Sequence, residues 1–189
     1  AIVRNGKYTF DFPVNRTYSL TSAESVIVGY NAGLNPSLIL SGGTLSGVKG
    51  YLGINAGGSG TVTVNGVGSA WTNSGDIFVG ESGDGALNVL MHGVVSNANA
   101  YLGQEVGSAG TAIVNGVGAT WTNSGILTVG NSGSGTLNIT NGGHVANGYW
   151  ASIGEMPGSV GEVMVDGVGS TWTSSDDLSV GYDGRGTLN

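Results

Sequence analysis

Residues 60–74 read Gly-Thr-Val-Thr-Val-Asn-Gly-Val-Gly-Ser-Ala-Trp-Thr-Asn-Ser, and the same stretch returns at 110–124 and, with more drift, at 161–175. The first two copies lie 50 residues apart and the third follows 51 later. A fixed period of this length marks a repeat architecture, in which similar units stack and each touches only its neighbours. Such a stack presents long surfaces rather than one crafted pocket, so the repeat frames the functional question as well as the fold.

Each block divides again. An apolar residue followed by glycine closes a strand-like segment at Val28-Gly29, Leu52-Gly53, Val79-Gly80, Leu102-Gly103, Val129-Gly130, Ile153-Gly154 and Val180-Gly181, with glycine spacings of 24, 27, 23, 27, 24 and 27. Two alternating coils, one long and one short, account for the 50-residue period. After each of the first six pairs comes a turn, then a strand in which two apolar positions flank one residue: Leu38/Leu40, Val62/Val64, Leu87/Val89, Ala112/Val114, Leu137/Ile139 and Val163/Val165. Period-2 placement over so few residues means strands with one face buried. A second alternating set, Ile77/Val79, Leu127/Val129 and Leu178/Val180, precedes the glycine of the longer coils.

Two or three short strands in ~25 residues describe one coil of a parallel β-helix, whose apolar face is buried only when coils stack. At ~4.8 Å between neighbouring strands, about seven coils make a rod roughly 34 Å long. A β-propeller blade of ~45 residues would need four strands of one meander, which the ~25-residue half-period does not match. The reading is therefore all-β, with repeats over 29–189 and an atypical capping coil over 1–28. In that first segment Tyr8, Phe10 and Phe12 alternate with polar residues.

Composition agrees. The chain has 38 Gly, 3 Pro and only 9% charged residues, against about 25% in an ordinary soluble domain. A transmembrane helix needs an apolar run of about 18 residues, and no run approaches that length. Net charge is −7, and the five basic residues Arg4, Lys7, Arg16, Lys49 and Arg185 are scattered. Nucleic acid is a poor partner for such a chain, because phosphate binding needs clustered Lys and Arg. Cysteine is absent, which removes disulfide and thiol chemistry. Gly186-Thr187-Leu188-Asn189 repeats Gly135-Thr136-Leu137-Asn138, where the chain carries on. The expectation is a segment of a longer protein, truncated in mid-repeat.

The residues that could carry chemistry are few. Trp71, Trp121 and Trp172 recur in register and are read as packing residues at a corner of the column. Trp150, beside Tyr149, lies outside the pattern and is the better candidate for an exposed contact. Asn65, Asn115 and Asp166 align as turn residues, while Asn88, Asn138 and Asn189 suit an amide ladder. Asp176-Asp177 is the one adjacent acidic pair and reads as a solvated turn. Glu81, Asp84, Glu105, Glu155 and Asp183 fall in turns, without the nine-residue Gly- and Asp-rich period of calcium-binding β-rolls. His92 and His144 have neither Cys nor a close partner for metal binding. No catalytic residue, metal site or cofactor is read from the chain. The outward-facing candidates for surface contact are Phe78, Met91, Tyr101 and Trp150.

The run Val-Gly-x-x-Gly-x-Gly-Thr-Leu-Asn-Ile-x-x-Gly-Gly-x-Val at 129–145, then Ile-Gly at 153–154 and Val-Asp-Gly-Val-Gly-Ser-x-Trp at 165–172, resembles the passenger repeats of bacterial autotransporters of the type V secretion route. The resemblance covers roughly residues 26–189. It implies a right-handed parallel β-helix exported through a C-terminal outer-membrane barrel that would lie outside these residues. It implies a place at the bacterial cell surface or in the secreted fraction, and a role in adhesion, self-association or biofilm formation. Expected partners are a second copy or a glycan or protein of a host or cell surface. The alternatives are a glycan-processing β-helix enzyme, or a passive spacer for an activity elsewhere in the parent chain.

Overall fold

A computed structural model of the chain describes the backbone of residues 2–4, 7–10, 14–15 and 20–189 and the side chains of 25–189. The described residues are all strand, turn and bend, wound into a parallel β-solenoid of about seven turns. Each turn has three faces. Face I carries β3 (Val14–Asn15), β5 (Ser37–Ser41), β7 (Ser59–Asn65), β10 (Asp84–Leu90), β13 (Ala109–Asn115), β16 (Ser134–Thr140), β19 (Val160–Asp166) and β22 (Arg185–Leu188). Face II carries β8 (Ala70–Asn73), β11 (Val94–Asn97), β14 (Thr120–Asn123), β17 (His144–Asn147) and β20 (Thr171–Ser174). Face III carries β9 (Ile77–Val79), β12 (Ala100–Leu102), β15 (Leu127–Val129), β18 (Ala151–Ile153) and β21 (Leu178–Val180). The longer strands β4 (Leu20–Val28) and β6 (Thr44–Leu52) run through both II and III and fuse those faces into one sheet.

From β6 onward the strand pairings between successive turns are parallel and in register, while β4 pairs with β6 in parallel through a register shift between Leu20 and Ala23. Val62, Leu87, Ala112 and Leu137 stack directly on one another at equal sequence intervals along face I. Faces II and III keep the long and short alternation, with intervals of 24, 26 and 24 residues along Trp71, Val95, Trp121 and Val145, and only face I, from Val62 to Leu137, is evenly spaced. The alternating glycine spacings arise because the extra residues sit in different turns: before faces II and III in one coil, and before face I in the next. The apolar–glycine pairs mark the corner after face III, and all seven of those glycines have positive φ. At Gly80 (φ 73°) a Cβ would stand 2.2 Å from the Ala109 carbonyl oxygen. The corner is thus too tight for a side chain as well as left-handed.

The core is a continuous apolar column. Leu38/Leu40 through Leu137/Ile139 point inward from face I, and Ile77/Val79, Ala100/Leu102, Leu127/Val129 and Ala151/Ile153 from face III, all of them solvent-inaccessible. Face II contributes Leu45, Trp71, Val95, Trp121 and Val145. Trp71 and Trp121 lie within strands and fill the lumen, so they are buried packing residues but not corner residues.

Their recurrence every second coil has a steric cause. A Cβ on Gly50 would sit 2.5 Å from Trp71 Cζ2, so the indole fills the space above that glycine. In the coils that precede Trp121 and Trp172 the same position holds Ala100 and Ala151, whereas the tryptophan-bearing coils place Ile77, Leu127 and Leu178 there. Large and small residues alternate so that layers interdigitate at interior density.

The capping coil expected at 1–28 lies partly outside the described residues. What is described there is β1 (Ile2–Arg4) paired antiparallel with β2 (Lys7–Phe10), and β2 paired in parallel with β4.

Candidate functional site

Three features of the outer surface stand apart from the packing of the column. The first is on face III, where Tyr51, Phe78 and Tyr101 occupy one outward row in consecutive coils. Their rings stack with centroids 5.1 and 5.2 Å apart and planes within 7° and 11° of parallel. In-register pairing holds identical positions one strand spacing apart, which is the separation that offset aromatic stacking needs. The row continues as Thr128, Ser152 and Ser179.

Beside it runs a second row, formed by the residue that enters each face III strand: Lys49, Asp76, Asn99, Ile126, Trp150 and Asp177. Its first half is self-satisfied. Lys49 Nζ lies 3.8 Å from Asp76 Oδ2 and 5.8 Å from the Phe78 ring centroid. Asp76 Oδ1 accepts from the Asn99 backbone N–H (3.2 Å) and side-chain amide (2.8 Å), and Asn99 Oδ1 accepts from the Ile126 N–H (3.0 Å). On the other flank, burial pushes the Glu81 carboxyl above its ordinary value; the Glu105 charge adds to this and Lys49 opposes it. Burial likewise raises the Tyr51 and Tyr101 phenols.

The second feature is a ridge at the corner between faces I and II. Val67, Val117 and Val168 sit at turn tips, each between two glycines of positive φ, and Met91 occupies the tip between the first two. These side chains are 78%, 70%, 98% and 62% exposed. Neither packing nor turn propensity asks for a β-branched residue at such a tip. Val67, Met91 and Val117 thus follow one another along one edge of the column, and the next tip holds the exposed Asn141 before Val168 follows.

The third feature is a cleft of about 310 Å³ between two late coils, lined by Trp150, Glu155, Asp176, Asp177, Ser179 and Tyr182. The turn Gly148-Tyr149-Trp150 is one residue longer than the matching Ala98-Asn99. The insertion lengthens the face I interval between Leu137 and Val163 by one residue and puts an indole where Asn99 stood two coils earlier.

Of the residues singled out from the sequence, Phe78 and Tyr101 come together in the stack, with Tyr51 as a third member. Met91 joins the ridge, and Trp150 lines the cleft. The tryptophans that recur in register are interior. His144 Nδ1 lies 2.8 Å from Thr171 Oγ1, while His92 sits in a turn at φ 66°. Among the described residues no group of three or more His, Cys, Asp or Glu side chains is placed to hold a metal ion.

Sequence reasoning missed an internal row, Asn73, Asn97, Asn123 and Asn147, buried at the inner end of face II. Its signal was present: each lies two residues after the apolar face II position and so points the same way. Trp121 Nε1 donates to Asn97 Oδ1 (2.8 Å), and Trp172 Nε1 to Asn147 Oδ1 (3.0 Å). An indole N–H can only donate, which fixes each amide's orientation. Asn97 Nδ2 then donates to Asn123 Oδ1 (2.7 Å) and to the Asn99 carbonyl (2.8 Å).

Comparison with protein-family models, curated proteins and solved structures finds no significant match to the chain. The functional reading therefore rests on the repeat and on this surface.

Proposed function

We propose that this β-solenoid is a surface-exposed segment of an autotransporter-like passenger acting in adhesion or self-association, and that the ridge Val67–Met91–Val117–Val168 is its principal contact line. The ridge carries the reading. Three valines recur in register at solvent-exposed tips with Met91 at the tip between the first two, although the tip between the last two shows that the fold accepts a polar residue, Asn141, at such a place. The aromatic row on face III adds a second lateral strip. The partner is a second copy of the column or a glycan or protein at another cell surface, met outside the cell, with any membrane anchor supplied by a barrel outside these residues.

The magnitudes favour weak, additive contact. Fully burying an aliphatic side chain is worth about 1.5–3 kcal/mol, so four ridge residues supply roughly 6–12 kcal/mol. Association costs about 4–15 kcal/mol in lost freedom and ordering. One segment would bind weakly, and strength would come from many coils engaging at once.

Sedimentation of the purified chain over a concentration series, with clumping and attachment of cells that display it, tests the reading. The variant V67S/M91S/V117S/V168S is expected to keep its β-rich spectrum while losing association and clumping. A wild-type chain that stays monomeric at high concentration and neither clumps nor attaches cells would overturn it. A passive spacer is told apart by exchanging these repeats for an unrelated solenoid of equal length, which leaves a spacer's function intact.

A further inference from the structure

We infer that Met91 is a methionine-oxidation site through which a hydroperoxide loosens self-association along the ridge, a switch that rests on the contact line proposed above. The turn that holds Met91 carries the inference. Leu90–Gly93 is closed by the Gly93 N–H on the Leu90 carbonyl (2.9 Å), with Met91 at φ 33° and His92 at φ 66°. Two successive positive φ angles in so tight a turn mark type I′, for which Asn-Gly is the preferred pair. Two coils later the turn is built that way: the Gly143 N–H bonds the Thr140 carbonyl (3.1 Å), and Asn141 and Gly142 have φ 54° and 85°. Among the described residues Met91, His92 and Asn141 are the non-glycine residues of positive φ. The fold therefore accepts Asn-Gly at such a tip, and the chain holds Met-His there against backbone strain.

The thioether is both central and open. Met91 lies between Val67 and Val117 and is 62% exposed, against 45% for Met156 in a turn after face III and 38% for Met164 on face I. Its side chain reaches toward the next tip. A Cβ on Gly116, the glycine before Val117, would stand 3.3 Å from Met91 Cγ and 3.4 Å from its Sδ. The sulfur thus spans from its own tip to the shoulder of Val117. One coil beyond Val117 the edge is interrupted by the polar Asn141. Oxidation at Met91 places a similar interruption between Val67 and Val117. Cysteine is absent, so methionine carries all the sulfur chemistry of the chain.

The one co-reactant is a hydroperoxide. A lone pair on Met91 Sδ attacks the terminal peroxide oxygen, an S–O bond forms and the O–O bond breaks. The departing hydroxide or alkoxide takes the proton of the transferred OH, leaving the sulfoxide and water or an alcohol. Sulfur is oxidised and the peroxide is reduced. A flexible apolar side chain becomes a polar, chiral one, and sulfoxide reductases reverse the change. In an apolar contact the new S=O lacks a donor, because neighbouring valine side chains have none to give.

The test treats the full 189-residue chain with graded hydrogen peroxide. Peptide mass spectrometry reads oxidation at each methionine, and sedimentation reads self-association before and after. Met91 is expected to oxidise first, and self-association to weaken by at least about tenfold, the equilibrium counterpart of losing one buried methionine. Methionine sulfoxide reductases are expected to restore it. Each variant is compared with itself: M91L, whatever its starting strength, should not respond to peroxide, while M156L/M164L should respond as wild type does. The far-ultraviolet spectrum of each oxidised chain checks folding. Undiminished association at complete Met91 oxidation, earlier oxidation of Met156 or Met164, or an equal response of M91L would overturn the switch. A wild-type chain that stays monomeric before oxidation also overturns it, and the ridge reading falls too only if cells displaying the chain neither clump nor attach.

Discussion

Removing the Asn97 side chain isolates the most exposed weakness of the core, its buried polar row. In Asn97→Ala the Trp121 indole N–H loses its acceptor at 2.8 Å and Asn123 Oδ1 loses its donor at 2.7 Å, while the Asn99 carbonyl loses one donor at 2.8 Å and keeps the Ile77 N–H at 2.9 Å. Both Trp121 and Asn97 are buried, so water cannot replace these bonds without opening the column. The two orphaned groups cost about 1–3 kcal/mol each, giving roughly 2–6 kcal/mol in total.

The protein already contains the converse. The position of Asn97 two coils earlier is Gly47, and Trp71 Nε1 and both polar atoms of Asn73 are buried without partners. Gly47→Asn is therefore expected to stabilise the early coils by about 1–2 kcal/mol, the net worth of one or two buried hydrogen bonds. Urea unfolding monitored by Trp fluorescence, together with amide exchange resolved coil by coil, measures both changes. Exchange is needed because a stack of repeats can open locally. A cost below about 1 kcal/mol for Asn97→Ala, or a loss of stability in Gly47→Asn, would refute the claim that the indole–amide bond governs this row.

Further perturbations probe other layers. Gly50→Ala places a methyl 2.5 Å from Trp71 Cζ2 and is expected to cost about 1–3 kcal/mol by overpacking, with recovery on adding Trp71→Leu, read from urea midpoints. Phe78→Ala removes both ring stacks, and at about 0.5–1.5 kcal/mol per aromatic pair should cost roughly 1–3 kcal/mol, measured the same way. Glu81 has its folded pKa raised above 4.5, chiefly by burial. Folding thus favours its protonated form, and the native state loses stability as pH rises from below 4.5 through the raised value. Glu81→Gln is expected to match wild type at pH 3–4 and exceed it near pH 7 in thermal melts; the opposite sign would exclude the burial effect.

How much of this was legible in the chain differs between its levels. The apolar pairs on face I and the apolar–glycine corners are local patterns, and each lands where its spacing placed it. The alternating glycine intervals were also legible, yet they suggested coils of two lengths. Faces II and III keep that alternation, as Ile77, Ala100, Leu127 and Ala151 show, while on face I the intervals from Val62 to Leu137 are equal because turns compensate for one another around the coil. The inward asparagines escaped because polarity argued for a surface place while their spacing from Trp71, Val95, Trp121 and Val145 argued for the core. The spacing won, since neighbouring coils supply partners for most of the amides.

By itself, then, the sequence determined a stacked β-solenoid: strand alternation and left-handed glycines are properties of a few adjacent residues, and only a column buries that pattern. Tertiary structure decided the surface. Val64 is interior and Val67 is nearly bare, a difference set by where the turn breaks the alternation rather than by residue type. Trp150 and Asp177, one full coil apart in sequence, meet in one cleft because that coil brings the chain back to its own starting row. Which side chains share a row depends on the summed lengths of three turns, and no single stretch of chain contains that sum.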